Sequence, residues 1–275
     1  MRNDGISIRQ GRRALLLLLF FLFALPGMRI GLGFPALSAQ PSTSANLIGV
    51  GPTRLLDTYL TPEHFSGTGI TYLNIREWQR PDRHWATTLQ QEVDLSFSHD
   101  RSRITDDLEG AYSLYWGRYR TWQLLDDRLR LQAGGVLNAT LGFIYDTMSS
   151  NNPAQARAAV NLMPSAVATY GFELFQQQFS ARYEIDLPLL GLMFSPNYGQ
   201  SYYEIFTQGN YDHNLVPTTP FSAPNLRHLL FLDWRASTKW TLRAGYLGNY
   251  QQAQVNNLKQ RVFTHRVMVG VVRHL

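Results

Sequence analysis

The sequence predicts an all-β fold, an antiparallel transmembrane β-barrel of about ten strands, with twelve as the alternative count, around a polar lumen. Three observations predict it. Segments of ten to fifteen residues alternate apolar and polar side chains with a period of two, the repeat of a strand with one greasy and one wet face. All six tryptophans stand at or near the ends of those segments, and indoles at both membrane interfaces form the aromatic girdle of outer-membrane barrels. The chain also finishes inside a strand-like segment, RVFTHRVMVGVVRHL (261–275), with Val267, Val269, Val271 and Leu275 at alternate positions.

Residues 1–39 have the parts of a cleaved export signal. A basic stretch ends in Arg12-Arg13, the apolar run ALLLLLFFLFAL follows, Pro26 and Gly27 break it, and ALSAQ offers cleavage after Ala39. Twelve apolar residues are too few for a membrane helix, which needs roughly 20. The leader also explains the charge. It holds five arginines and one acid, so residues from 40 onward carry 20 basic and 19 acidic groups out of a formal net charge of +5. No basic patch remains to recruit nucleic acid. With no cysteine, the chain can build neither a disulfide framework nor a thiolate metal site.

Residues 40–66 read as a lead-in, within which TRLLDTYL (53–60) is an extra strand or a periplasmic approach; the barrel itself is assigned to 67–275. Ten candidate strands follow, at 69–78, 85–98, 108–120, 128–145, 156–172, 179–190, 201–206, 226–236, 240–250 and 261–275. The dyad is clean in WATTLQQEVDLSFS, where Gln90, Glu92, Asp94, Ser96 and Ser98 share a face. It is clean again in FSARYEIDLPLL, where Phe179, Ala181, Tyr183 and Ile185 should meet acyl chains and Arg182, Glu184 and Asp186 the lumen. Pro188 then marks the strand's end, ahead of a periplasmic turn. Two segments are blurred. Leu229 and Phe231 share the face of Arg227, Asp233 and Arg235, and Gly134-Gly135 reads as a bulge. Long polar connections at 207–225 and 249–260, against the short turn RASTK, fit the asymmetry between outer and periplasmic sides.

Three stretches, RLLDTYLTPEHFSGTG, NNPAQARAAVNLMPSAVATYGF and DLPLLGLMFSPNYGQSYYEIF, carry a family likeness. Together they resemble a family of uncharacterised outer-membrane-barrel-like proteins from Gram-negative anaerobes, a domain of unknown function. The resemblance spans about Thr53 to Leu275 and implies location and architecture; it brings no active site. The C-terminal segment separately resembles the targeting strand of Gram-negative outer-membrane proteins, with Arg273 and Leu275 where that pattern has aromatics.

Chemistry is sparse. Barrel esterases resemble one another in a His-x-Ser pair on one strand face, and His64-Phe65-Ser66 is the match here, in a Pro- and Gly-bounded turn. The couples His99-Asp100 and Asp212-His213 fall in loops. No phosphate loop, dinucleotide fingerprint, zinc signature or nucleophile elbow occurs, so no cofactor or metal is expected. What remains is the polar face itself: Arg76, Glu92, Asp94, Glu109, Arg130, Arg182, Glu184, Asp186, Arg227, Asp233, Arg235, Arg243 and Arg266. These groups either fill the lumen with Arg–carboxylate pairs or line a narrow pore or ligand pocket. The expected function is an uncharacterised outer-membrane barrel, structural or a narrow polar conduit. Its expected partners are membrane lipid and the barrel-assembly machinery, with a small solute or glycan at the loops. The alternatives are a lipid-modifying hydrolase using His64 and Ser66, and a secreted soluble β-sheet binding protein.

Overall fold

The computed structural model describes residues 42–79, 84–149 and 153–275; the expected leader, 1–39 with cleavage after Ala39, lies outside them. Among the described residues, ten strands close a barrel: β1 (Thr43–Asp57), β2 (Thr61–Gln79), β3 (Trp85–His99), β4 (Asp106–Leu124), β5 (Leu129–Asp146), β6 (Ala154–Leu174), β7 (Gln177–Asp186), β10 (Leu226–Arg235), β11 (Trp240–Val255) and β12 (Leu258–His274). Each pairs antiparallel with its neighbours. β7 pairs with β10, while β1–β12 and β5–β6 complete the ring. Between β7 and β10 an excursion, residues 187–225, carries the short strands β8 (Leu190–Phe194) and β9 (Leu215–Thr218) and one helical turn, α1 (Tyr202–Phe206).

The period of two decides what each strand buries. Along β3 the even residues from Ala86 to Ser98 are buried, and Trp85 and Phe97 are exposed. β7 follows the expected assignment: Arg182, Glu184 and Asp186 point inward, and Phe179, Ala181, Tyr183 and Ile185 outward. Ile48, Val50, Ile70, Leu141, Val160, Leu162, Val267 and Val269 form an exposed apolar band around the outside. In water such a band would be an aggregation surface; in hydrocarbon it is solvated, and closing the ring pairs the barrel strands on both sides.

The count of ten strands holds, but its composition differs. Residues 40–66 are not a lead-in, because β1 begins at Thr43 and β2 at Thr61, inside the barrel wall. β1 was hard to read because Gly49, Gly51 and Pro52 interrupt its alternation. The stretch 201–206 is a helical turn instead. Ser201 caps it, its hydroxyl accepting from the Glu204 N–H while the Glu204 carboxylate accepts from the Ser201 N–H, a reciprocal box that overrides a short alternating pattern. The Ser201 N–H and the Ser201 hydroxyl, both donating to the Glu204 carboxylate, hold it below the usual carboxylate range. Gly134-Gly135 is no bulge; the register runs unbroken there, and a Cβ at Gly134 would lie 1.9 Å from the Arg118 carbonyl. A register shift falls instead between Leu55 and Asp57.

Both ends of the strand ring share one rim with the connections 125–128, 175–176 and 236–239. Trp78, Trp85, Trp122, Trp234 and Trp240 stand at that same rim, so the indoles gather at one end of the barrel rather than at both; Trp116 lies further along β4. Towards the opposite rim the barrel strands expose Phe97 and Tyr145, and the excursion exposes Tyr198, Tyr203, Phe206, Tyr211 and Phe221. Arg118 lies over Trp85, Arg120 over Trp122 and Arg273 over Trp240, at 5.5, 5.7 and 6.0 Å. Pro188 does not lead to a turn on the termini side, since the excursion leaves from the opposite rim. The stretch 249–260 is not a loop either: β11 runs to Val255 and turns into β12 through Asn256-Asn257, both at positive φ.

The turn Phe175-Gln176 between β6 and β7 adopts the same left-handed conformation without residues suited to it, at φ 52° and 60°. Phe175→Asn with Gln176→Gly is expected to stabilise the barrel by about 1–2 kcal/mol, read as a higher urea midpoint.

Candidate functional site

The barrel interior is packed. On the β10–β2 wall, Ala45, Leu47, Leu73, Leu229, Phe231 and Met268 belong to a buried apolar cluster; on the β4–β6 wall, Tyr115, Tyr119, Val136, Met163 and Val167 form another. This explains the blurred face of β10, where Leu229 and Phe231 are lumen residues that pack.

The charged side chains join into a chain that crosses the lumen. Arg130 donates to Glu77 Oε1 at 3.1 Å, and Arg182 approaches Glu77 Oε2 at 3.5 Å. Arg182 also donates to Glu184 at 3.0 Å, and Gln90 donates to the other Glu184 oxygen at 2.5 Å. Arg227 then ties Gln90 (2.9 Å), Glu92 (3.1 Å) and Asp186 (2.9 Å) together, its guanidinium 4.1 Å over the Tyr115 ring. Asn249 donates to the remaining Glu92 oxygen at 3.2 Å. Strands β5, β2, β7, β3, β10 and β11 are thereby linked through side chains.

Two further nodes flank this chain. Arg266 donates to both Asp94 oxygens, to Thr53, Thr71 and Ser96, and to the Gly51 and Pro52 carbonyls. Arg157 donates to Glu109 and to Gln251, reaching from β6 to β11. Near the tryptophan rim, Arg243 and Asp233 form a bidentate pair, both bonds 2.7 Å.

The sequence-derived groups therefore fall into three sets. Glu92, Asp94, Glu109, Arg182, Glu184, Asp186, Arg227, Asp233, Arg243 and Arg266 are buried inside the barrel, and Arg130 is half-buried beside Glu77. Arg235 shares their strand parity but lies at the rim, exposed, donating to Gln178, so it stands outside the network. Arg76 is on the outward face; Glu77 takes the inward place, because in GITYLNIREW the inward face is Gly, Thr, Leu, Ile and Glu. Glu77, Arg157 and Asn249 were the missing partners. Arg157 was legible, since Gln155, Arg157, Asn161 and Ser165 make one small-polar stripe.

His64 and Ser66 lie within β2 rather than in a turn, side by side on the exposed outward face, with no hydrogen bond between them. Asp212 and His213 pair with each other, exposed in the excursion. Among the described residues, no three His, Asp or Glu side chains are placed to hold a metal ion. Above the crossing chain the lumen widens into a cavity that reaches the rim opposite the termini, with Tyr115, Asn161, Met193 and Asn225 among its walls.

The sequence matches the pattern of DUF3316, described as a protein of unknown function, over residues 15–275. The chain belongs to that family. This upholds the family resemblance drawn from the sequence. None of the curated proteins matches this DUF3316 chain. Among solved structures it is similar to the translocator domain of the autotransporter NalP from Neisseria meningitidis, at 12% identity and a TM-score of 0.41, covering 98% of this chain and 96% of that one. The transport unit of the autotransporter AIDA-I from Escherichia coli shares 7% identity at a TM-score of 0.48, with 86% and 91% of the two chains covered. The outer membrane protease OmpT from Escherichia coli shares 8% at 0.44, with 86% and 98% covered.

Proposed function

We propose that this protein is an exported outer-membrane barrel that is closed by its own side chains and offers a blind vestibule at the rim opposite its termini. The observation that supports this most is the unbroken side-chain path from Arg130 through Glu77, Arg182, Glu184, Gln90, Arg227 and Glu92 to Asn249. For an ion to pass, several buried guanidiniums would have to leave their carboxylates, and breaking one such pair costs about 3–5 kcal/mol. The fold thus favours a structural or binding role over the narrow conduit. The outer membrane is supported by the apolar band, the tryptophan rim and the expected leader. Orientation follows from the termini and the tryptophan rim on the periplasmic side, with the excursion outside. The hydrolase alternative loses support from the outward, unconnected His64 and Ser66.

Purified protein in planar bilayers should produce no conductance steps above those of the bare membrane. The same preparation should show heat-modifiable mobility after outer-membrane fractionation. Steady steps from the wild-type protein would refute the closed lumen, and release into the periplasmic fraction would refute the membrane location.

A further inference from the structure

Above the crossing chain the cavity leaves about 70 Å3 in which the centre of a water molecule can sit, room for roughly five waters. One of its walls is not a barrel strand. β7 and β10 stop near the Asp186–Arg227 pair; beyond it β8 pairs with β6, β9 pairs with β8, and β9 stands at the edge of the sheet. The chain then returns along β11, where the Gln254 N–H donates to the Ser222 carbonyl and the Gln252 N–H to Asn225 Oδ1. The excursion thus makes one side of a chamber whose other side is β5, β6 and β11.

The chemistry of the lining is selective. No carboxylate lines it. Two guanidiniums reach it, and each is already neutralised, Arg157 by Glu109 and Arg227 by Glu92 and Asp186. An anion would gain little, because each arginine would have to leave a buried carboxylate; a cation meets guanidinium and no acid. The remaining polar surface is carboxamide and hydroxyl, led by Asn138, Thr140, Asn161, Thr218, Asn225 and Gln251. Asn161 donates its Nδ2 to Asn138 at 3.0 Å. Its Oδ1 and the Thr218 hydroxyl flank Gly191, where a Cβ would sit 2.3 and 2.6 Å from them. A larger residue at that position would displace both groups. Beside them Met163, Pro188 and Met193 give apolar surface.

An amide offers a donor and an acceptor in one plane, which matches adjacent hydroxyls, and apolar patches match a C–H face. We infer that the vestibule binds an uncharged polyol of monosaccharide size, held by the amides of Asn161, Asn225 and Gln251. The inference rests on the closed lumen proposed above, which supplies the floor of the site.

The test uses the full chain in lauryldimethylamine-oxide micelles, a detergent without a sugar head. Saturation-transfer NMR is run with D-glucose, D-galactose, glucuronate and glucosamine at equal concentration. At least one neutral hexose should bind, more tightly than both charged sugars. Asn161→Leu and, separately, Thr218→Val should weaken it at least tenfold in variants that keep heat-modifiable mobility. If one variant fails to fold, the other decides. Absence of a neutral-hexose signal, tighter binding of a charged sugar, or binding unchanged in the folded variants would overturn the site. Bilayer recordings on the same sample separate the two failures. A silent wild type without hexose binding overturns the site alone, whereas conductance steps overturn the closed lumen.

Discussion

Arg266→Met is expected to cost about 3–5 kcal/mol of barrel stability. Arg266 is fully buried, at 0% exposure. Its guanidinium is the meeting point of four strands: Asp94 and Ser96 from β3, Thr71 from β2, Thr53 and two carbonyls from β1, and its own strand β12. Methionine fills much of the volume but donates nothing. Asp94 is then left as a buried charge without its cation, and the Gly51 and Pro52 carbonyls lose a donor. Most of the cost is that stranded carboxylate, so Arg266→Met combined with Asp94→Leu should recover half or more of the loss. Urea titration followed by heat-modifiable mobility reads both variants. A single variant within about 0.5 kcal/mol of the wild type would show the node to be dispensable.

Arg266 also shows what was legible in the sequence. Its place on the inward face follows from the dyad of β12, and the same argument places Glu92, Asp94, Glu184 and Asp186. Parity gives the face and not the partner. That Arg227 from β10 meets Gln90 and Glu92 from β3 depends on strand order and shear around a closed ring, which no local pattern contains. Where parity failed, the cause was local. Glycines and Pro52 hid β1, a capping box turned 201–206 into a helix, and two near-equal faces in GITYLNIREW put Arg76 where Glu77 belongs. Arg235 failed differently, because it has the right parity but lies past the depth at which the lumen is closed.

The interior apolar clusters do not stand out in the sequence, for a related reason. A polar lumen was expected from the charged residues, yet Leu47, Leu73, Phe231 and Met268 are as deeply buried as the ion pairs. A ten-strand barrel has more interior than its ionic network fills, and packed apolar side chains exclude water from the pairs, which strengthens them. The closed lumen therefore depends on both kinds of residue, and only one kind stands out in a sequence.

Val269→Arg should cost about 2–4 kcal/mol and sharply lower the yield of folded barrel in the outer-membrane fraction. Val269 lies on the outward face of β12, 59% exposed, opposite Ile48 on β1 and Ala244 on β11. The exposed Val267 precedes it, and the rim pair Trp240–Arg273 lies four residues further along β12, so the site falls inside the apolar band. A soluble β-sheet protein would respond oppositely, because an exposed valine in water accepts arginine within about 0.5 kcal/mol. Val272→Arg is the matched control: Val272 is 4% exposed in the interior cluster, so its replacement damages the fold in either setting. Only the outward position distinguishes hydrocarbon from water. Loss of folded protein at both positions supports the membrane barrel, while loss at Val272 alone would mean that the apolar band faces water.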